Sequence, residues 1–253
     1  MSGAATSALR VRGLCKNFGA LTVAQSIDLD LAPGARMGLI GPNGAGKTTL
    51  INLLTGMLRP DAGSIELNGE AIGRMKPENR VKCGLARTHQ INTLLNETNV
   101  RDNVAIAIAE REKIAWRTLR FRPQWRACLE EADARLREIG IAEVADRRVS
   151  ELPYGRQRLL EIAIALALKP RVLLLDEPAA GVPAAESHVI HDVLAKLPAD
   201  IAILIIEHDM DVVFRFAKEI TVLVQGRILT RGAPAQIAAD PEVRAVYLGR
   251  SVL

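Results

Sequence analysis

Aromatic side chains are scarce in this sequence. They make up only 3% of the 253 residues, whereas hydrophobic residues as a whole make up 49%. The core must therefore be mostly aliphatic, which is typical of helices packed on a buried, largely parallel sheet. The chain is long enough to bury such a core in one large domain or in two closely integrated ones.

Cysteines and long apolar runs are also lacking. The three cysteines, Cys15, Cys83 and Cys128, are widely spaced. They form neither a disulfide framework nor a zinc pattern, so we expect reduced thiols in a cytoplasmic environment. No apolar run approaches the roughly 20 residues needed to span a bilayer. Residues 1–10 lack the apolar segment of a signal peptide.

The net charge and the absence of one motif restrict the range of possible ligands only slightly. The net charge of +4 would tolerate a nucleotide, a nucleic acid or a lipid surface without choosing among them. No Asn-Lys-x-Asp sequence, the guanine-reading motif of GTPases, is present. A GTPase is therefore disfavoured.

Strand and helix patterns alternate at both ends of the chain, which predicts an α/β fold with a mostly parallel sheet. Polar–apolar alternation in 26–31 and the Asn68–Gly69 turn predict an additional antiparallel β subdomain. Helical periodicity without a convincing strand predicts a helical insertion in the middle. We therefore predict a single domain over 1–253, with a core at 1–91 and 169–253 and a helical subdomain at 92–168.

The predicted elements, which the structure can test individually, are the following. We expect strands at 8–14, 26–31, 36–40, 64–67, 85–88, 172–175, 201–206, 220–224 and 228–230, and helices at 47–54, 100–109, 126–139, 159–168, 184–197 and 210–217.

The segment GPNGAGKT at 41–48 matches the phosphate-loop pattern. Its glycines let successive backbone N–H groups point at one anion, and the helix that follows adds the positive end of its dipole. Lys47 would supply a charge for the β- and γ-phosphates, and Thr48 a hydroxyl for Mg²⁺. The residues expected to bind nucleotide here are Asn43, Gly44, Ala45, Gly46, Lys47, Thr48 and Thr49.

Two acidic residues follow the apolar strand LLL at 173–175. A carboxylate at that position lies at the C-terminal edge of the sheet, where doubly wound folds bind their ligands. Asp176 is therefore a candidate Mg²⁺ ligand, and Glu177 is a candidate general base for the attacking water.

Two further polar residues follow predicted strands. His208 comes after 201–206 and could reach the γ-phosphate, although a lone histidine at a strand end is more often a structural hydrogen-bonding group. Gln90 comes after 85–88, where an amide could contact the metal and begin a mobile loop. Spacing alone leaves the role of Gln90 open.

These residues together resemble the ATP-binding subunit of an ABC transporter. The resemblance runs from Leu9 to Gly249 through GPNGAGKTT, Gln90, LPYGRQ, LLLDEP and His208, in the family's order and spacing. It implies a P-loop ATPase core that uses ATP and Mg²⁺. It further implies these roles: adenine stacking by Phe18, Mg²⁺ binding by Thr48 and Asp176, catalysis by Glu177 as base, and contact of His208 with the γ-phosphate. Gln90 is a candidate both for metal binding and for catalysis.

This sequence departs from the family signature motif, which is usually Leu-Ser-Gly-Gly-Gln. The matching stretch is LPYGR at 152–156, and Pro153 has neither a hydroxyl nor an N–H. The resemblance implies that Tyr154, Gly155 and Arg156 contact the nucleotide of a facing subunit, and that Gly181 lies in a loop that crosses to it. A second ABC ATPase subunit, identical or similar, is therefore an expected partner.

A closer resemblance points to branched-chain amino acid importers, in particular the longer of their two ATPase subunits. It rests on ARTHQ, ELPYGRQRLLEIA, LLLDEPAAG, IEHDMD and DPEVRAVYLG. It implies two transmembrane permeases, an indirect periplasmic solute-binding partner, no nucleic acid, and a location on the cytoplasmic face of the inner membrane. Ile164 and the VPAAES segment depart from the subfamily pattern, which leaves room for another amino acid, amide or small organic acid.

Two alternatives share the ATPase motifs. One is the ATPase subunit of a lipid or lipopolysaccharide exporter, which differs only in its partner-facing surfaces. The other is a soluble ABC protein of repair or translation, disfavoured because this chain has neither a long coiled coil nor two ATPase domains. The arginine-rich segment 111–126, with Trp116 and Trp125, is either a solvated helical face or a contact with lipid headgroups or permeases.

Overall fold

The computed structural model describes residues 7–88, 94–114, 123–207 and 210–248, apart from the side chains of 184, 185 and 248. The chain forms two compact units. The first unit comprises Met1–Leu85, Arg171–Glu177 and Pro198–Leu253, and the second comprises Ala86–Pro170 and Pro178–Leu197. The domain limits expected from sequence stay a prediction.

The strands and helices alternate along the chain as follows. The strands are β1 Leu9–Phe18, β2 Leu21–Leu31, β3 Arg36–Ile40, β4 Ala62–Leu67, β5 Glu70–Ala71, β6 Leu85–Arg87, β7 Val172–Asp176, β8 Ala202–Ile206, β9 Glu219–Val224 and β10 Arg227–Gly232. The α-helices are α1 Lys47–Thr55, α2 Pro77–Lys82, α3 Val100–Arg111, α4 Pro123–Ile139, α5 Tyr154–Ala167, α6 Ala184–Ala195, α7 Met210–Phe216, α8 Pro234–Ala239 and α9 Pro241–Leu248. Short 3-10 turns occur at Ala142–Val144 and Val149–Glu151.

Two sheets account for the strands and confirm the predicted α/β class. An antiparallel sheet has the order β2-β1-β4-β5, and a six-stranded sheet has the order β10-β9-β3-β8-β7-β6. In the larger sheet β3 runs parallel to both β8 and β9, and β7 runs parallel to β8. The hairpin partner β10 runs antiparallel to β9. The larger sheet is therefore mostly parallel.

Hydrophobicity explains the central strands. Every residue of β7 and β8 is buried, as expected for apolar strands covered on both faces. Leu174 and Leu204 belong to one core cluster that also contains Leu39 of β3 and Leu50 of α1. This packing fixes the C-terminal ends of β3 and β7, the two ends that carry the predicted phosphate loop and acidic pair.

The first hairpin is longer than the sequence pattern predicted. We expected strands at 8–14 and 26–31, but β1 continues to Phe18 and β2 begins at Leu21. The extension escaped the pattern because its residues are largely exposed and it is held by backbone pairing, for example Asn17 with Thr22. It carries the predicted adenine-stacking residue to the tip of the hairpin.

Four helices of the second unit, α3 to α6, pack in sequence order. Arg101 of α3 donates to Asp133 of α4 at 2.6 Å and also pairs with Asp146. Arg111 forms two hydrogen bonds with Glu131, of 2.9 and 2.7 Å. These pairs hold α3 against α4, in agreement with the helical periodicity of this region.

A buried arginine closes the C-terminal end of α1. Arg80 of α2 is 1% exposed and donates to the carbonyls of Leu53 and Leu54 at 2.7 and 2.6 Å. It also donates to the carbonyls of Met75 at 3.1 Å and Gly73 at 3.0 Å. The last carbonyls of a helix have no intrahelical donor, so this one side chain satisfies several backbone groups at once.

We expect Arg80→Met to lower the free energy of unfolding by about 2 to 3 kcal/mol, because it leaves buried carbonyls without donors. Urea denaturation followed by circular dichroism measures this change. The exposed Arg74→Met is the matched control and should change stability by less than about 0.5 kcal/mol. Equal stability of the two variants would contradict this role of Arg80.

Candidate nucleotide-binding site

The loop between β3 and α1 has the geometry of a phosphate cradle. Gly44 and Gly46 adopt left-handed conformations, with φ of 77° and 103°. Gly46 is the N-cap of α1, and no side chain caps this helix end. The first N–H groups of a helix have no intrahelical acceptor, and no acidic residue occupies the first turn. The helix end is therefore suited to an anion.

Backbone atoms of β2 and β9 lie close to the glycines of this loop. A Cβ at Gly46 would lie 2.8 Å from the Val23 carbonyl oxygen of β2. A Cβ at Gly41 would overlap the Leu223 carbonyl oxygen of β9 and lie 3.1 Å from Ala45 Cβ. The loop is also tied to the β9–β10 turn, because Gly226 N–H donates to the Ala45 carbonyl at 2.8 Å. Glycine is therefore required at Gly46 by both packing and conformation, and at Gly41 by packing.

Lys47 folds back over the loop that precedes it. Its buried ammonium donates to the carbonyl oxygens of Gly41 at 2.6 Å and Pro42 at 3.1 Å. Burial lowers the pKa of Lys47, and the negative charges of Glu177 and Asp176 oppose that shift. Leu39 of β3 and Asp176 of β7 both pair in register with Ile206 of β8, so the ends of β3 and β7 lie at the same edge of the sheet. The structure therefore brings Lys47, Asp176 and Glu177 together.

The acidic pair lies at the end of β7. Asp176 is 2% exposed and pairs in register with Ile206 of β8. Glu177 N–H donates to the Ile206 carbonyl at 2.9 Å, and Glu177 has φ of 50°. A left-handed conformation is uncommon for a residue with a side chain and clusters at functional sites. The chain thus turns sharply between two adjacent carboxylates, so the two do not continue the alternation of the strand.

The other predicted residues of the first unit have these positions. Asn43, Gly44 and Thr48 are exposed, Thr49 is half-buried and Ala45 is buried. Phe18 lies at the end of β1, with 49% of its surface exposed and the Lys16 ammonium 5.6 Å from its ring centroid. Its ring is accessible for stacking, and its predicted contact with adenine stays a prediction.

The signature stretch starts α5 in the second unit. Pro153 is the N-cap, Tyr154 is exposed and Gly155 is buried against Glu186, whose Oε2 would lie 2.8 Å from an added Cβ. The Arg156 side chain donates to Glu143 at 2.6 Å and to the Gly140 carbonyl at 3.1 Å. Arg156 is thus engaged within its own unit, and its contact with a facing nucleotide stays a prediction, as do those of Tyr154 and Gly155.

Three features predicted from sequence lie wholly or partly outside the residues that the structure describes: Gln90, His208 and the segment 111–126. Gln90 and His208 lie outside the described residues, and so does Trp116. Trp125 is described and is half-buried in α4. Sequence reasoning missed the support that Gly226 gives to the loop. The Gln225–Gly226 turn was a visible signal, but nothing in the sequence placed it beside Ala45.

The donor set fits magnesium. The described residues contain no group of three or more His, Cys, Asp or Glu side chains that would hold a metal by themselves. Mg²⁺ usually binds through one or two protein oxygens together with waters and substrate phosphates. The Thr48 hydroxyl at the start of α1 and the Asp176 carboxylate at the end of β7 are donors of this kind.

The sheet order, the phosphate loop and the acidic pair define an ATP-binding protein of the P-loop class, and the chain belongs to the ABC transporter family. The family model described as "ABC transporter" matches residues 24–180. A second model, described as "Branched-chain amino acid ATP-binding cassette transporter", matches residues 227–252. Membership implies ATP hydrolysis coupled to transport.

Full-length relatives agree with this assignment. The chain is 38% identical to the high-affinity branched-chain amino acid transport ATP-binding protein LivG of Escherichia coli K12, over 96% of this chain and 98% of LivG. It is 37% identical to BraF of Pseudomonas aeruginosa, which carries the same description, over the same shares. The ADP conformation of MJ1267, an ATP-binding cassette of an ABC transporter, superposes with a TM-score of 0.84 at 30% identity, covering 96% and 99% of the two chains. Among the described residues, no helix is long and apolar enough to cross a membrane.

Proposed function

We propose that this chain is the Mg²⁺-dependent ATP-hydrolysing subunit of an importer for branched-chain or related amino acids. The observation that supports the ATPase assignment is that the strands preceding Lys47 and Glu177, β3 and β7, both pair with Ile206 of β8 and end at the same edge of the sheet. The solute class is supported by the C-terminal family model and by the descriptions of LivG and BraF.

Each residue has a distinct part in the proposed reaction. The Lys47 ammonium and the N–H groups at the start of α1 bind the phosphates and stabilise the charge that develops there. Thr48 and Asp176 would hold the metal, which would supply positive charge to neutralise the phosphate oxygens. Glu177 accepts a proton from the attacking water. Phe18 would stack on adenine, Gln90 would contact the metal, and His208 would contact the γ-phosphate.

The proposed assembly is a pair of ATPase subunits that act on two permeases. Tyr154, Gly155 and Arg156 of one subunit would meet the nucleotide held by the other, so ATP favours the closed pair by binding it more tightly than the open one. The pair would lie at the cytoplasmic face of the inner membrane. A periplasmic solute-binding protein would deliver the amino acid to the permeases.

Magnesium removal and solute uptake test the two parts of this proposal. We expect EDTA to lower ATP hydrolysis by the purified chain at least about 100-fold, with recovery on adding Mg²⁺, because the metal neutralises the charge on the transferred phosphoryl group. We also expect cells that lack the gene to lose uptake of labelled leucine, isoleucine and valine.

A matched pair of plasmids completes the experiment. The wild-type gene should restore uptake. The Lys47→Met gene should not, because methionine keeps the apolar stem of the side chain but lacks the ammonium that binds the phosphates. ATPase activity that persists in EDTA would contradict the metal site. Normal amino acid uptake combined with a defect in the export of lipid or lipopolysaccharide would contradict the importer assignment and favour the exporter alternative.

A further inference from the structure

One exposed carboxylate holds the tip of the β1–β2 hairpin from the side of β4. The last pair of the ladder between β1 and β4 is Cys15–Ala62. Asp61 precedes that pair in the chain, and its backbone N–H donates to the Cys15 carbonyl at 2.9 Å. Nearer the tip, the side chain continues the contact, because Asp61 Oδ2 accepts the backbone N–H of Asn17 at 2.7 Å. Asp61 therefore fixes the backbone of β1 beside its last residue.

The other oxygen of the same carboxylate binds Lys16. Asp61 Oδ1 accepts from the Lys16 ammonium at 2.7 Å. The hydrogen bonds from Lys16 and from the Asn17 N–H lower the pKa of Asp61, so the carboxylate stays charged at neutral pH. Because both of its oxygens are used, Asp61 holds a side chain and a backbone group of two consecutive residues of β1.

Lys16 in turn lies over the ring of Phe18. Its ammonium is 5.6 Å from the ring centroid, within the range of a cation–π interaction. The ammonium covers one face of the ring, while 49% of the Phe18 surface stays exposed. A purine that stacks on Phe18 would therefore use the face that Lys16 leaves open. The orientation of that face depends on where Asp61 holds Lys16 and the neighbouring backbone.

We propose that Asp61 is a positioning residue of the nucleotide site, which holds Lys16 and the β1 backbone so that the open face of Phe18 is presented to adenine. The inference rests on the proposed function, in which Phe18 stacks on adenine. In this role Asp61 acts through Lys16 and the backbone beside Phe18 and does not itself touch the nucleotide. Its effect should concern the base of the nucleotide and not the phosphates, which would bind at 41–48.

The test compares ADP with inorganic tripolyphosphate, which has a chain of phosphates and no base. We expect Asp61→Ala to raise the dissociation constant of the full chain for ADP about 3- to 10-fold. The reason is that a ring which is in the binding orientation only about a third to a tenth of the time binds more weakly in proportion. The dissociation constant for tripolyphosphate should stay within about twofold of the wild type. Calorimetric titration measures both constants.

Asp28→Ala is the matched control. Asp28 is an exposed carboxylate that also accepts a backbone N–H of β1, from Gly13 at 2.7 Å, so this variant removes the same charge and the same kind of hydrogen bond. Its affinity for ADP should stay within about twofold of the wild type. A double variant completes the test. Once Phe18→Ala has removed the ring, adding Asp61→Ala should weaken ADP binding by less than about twofold.

The two ligands and the control separate positioning from general damage. Wild-type affinity for ADP in Asp61→Ala would overturn the inference, as would an equal loss of affinity for tripolyphosphate or an equal loss in Asp28→Ala. Wild-type affinity for ADP in Phe18→Ala would also overturn it, while the phosphate loop would keep its proposed role. If the wild-type chain binds neither ADP nor tripolyphosphate, the proposed function itself fails, which is a different result.

Discussion

Glu177→Gln is expected to lower the rate of ATP turnover by about 10²- to 10⁴-fold, the range that removal of a general base produces. Glutamine keeps the shape of the side chain and can still hydrogen-bond to water, but it cannot accept a proton at neutral pH. The left-handed backbone of Glu177 and its N–H bond to Ile206 do not depend on the carboxylate, so the local fold should survive. Nucleotide affinity should therefore stay within a few-fold of the wild type.

The measurement needs both a rate and a binding constant. Phosphate release under saturating ATP gives the rate, and titration with ADP shows that the site still forms. Glu110→Gln, an exposed change of the same chemistry on α3, is the matched control and should hydrolyse ATP at the wild-type rate. Near-normal turnover in Glu177→Gln would show that another group acts as the base.

The same variant reports on the proposed assembly. With hydrolysis blocked, bound ATP persists, and the closed pair of subunits should accumulate because nothing removes the ligand that favours it. Light scattering with ATP should then show a dimer for Glu177→Gln and a smaller fraction of dimer for the wild type. This outcome would show that hydrolysis, with Glu177 as the base, is needed for the closed pair of subunits to open.

Strong local patterns allowed the parts of the site in the first unit to be predicted. The apolar runs of β7 and β8 were recognisable because both faces of these strands are buried. The start of α1 followed from the glycines and Lys47, and the observed helix begins at that lysine. The close approach of Lys47 to Asp176 and Glu177 then follows from topology, since parallel strands place their carboxyl ends at one edge.

Contacts between distant segments could not be predicted in the same way. The helices α2, α8 and α9 are only six to eight residues long, too short for a clear periodic signal. From the sequence, Arg80 would be predicted to be an exposed cation, because its four carbonyl partners lie in segments that only the fold brings together.

Gly41→Ala is expected to be the most damaging small substitution in the loop. The sequence pattern assigns this glycine to conformational freedom, but its φ is not in the left-handed region and the constraint is steric. An added Cβ would overlap the Leu223 carbonyl oxygen and lie 3.2 Å from the Leu223 carbonyl carbon. That carbonyl belongs to β9, which is paired on both sides with β3 and β10, so it cannot retreat without breaking the sheet.

We therefore expect Gly41→Ala to lower the free energy of unfolding by about 3 kcal/mol or more and to weaken ADP binding at least about tenfold, because moving Gly41 also moves the carbonyl that holds Lys47. Gly73→Ala is the matched control. The nearest atom to its added Cβ is 3.9 Å away, so its cost should stay below about 1 kcal/mol. Urea denaturation and ADP titration of both variants measure the difference. If Gly41→Ala unfolds like Gly73→Ala and binds ADP normally, the contact between β9 and the loop does not constrain the site.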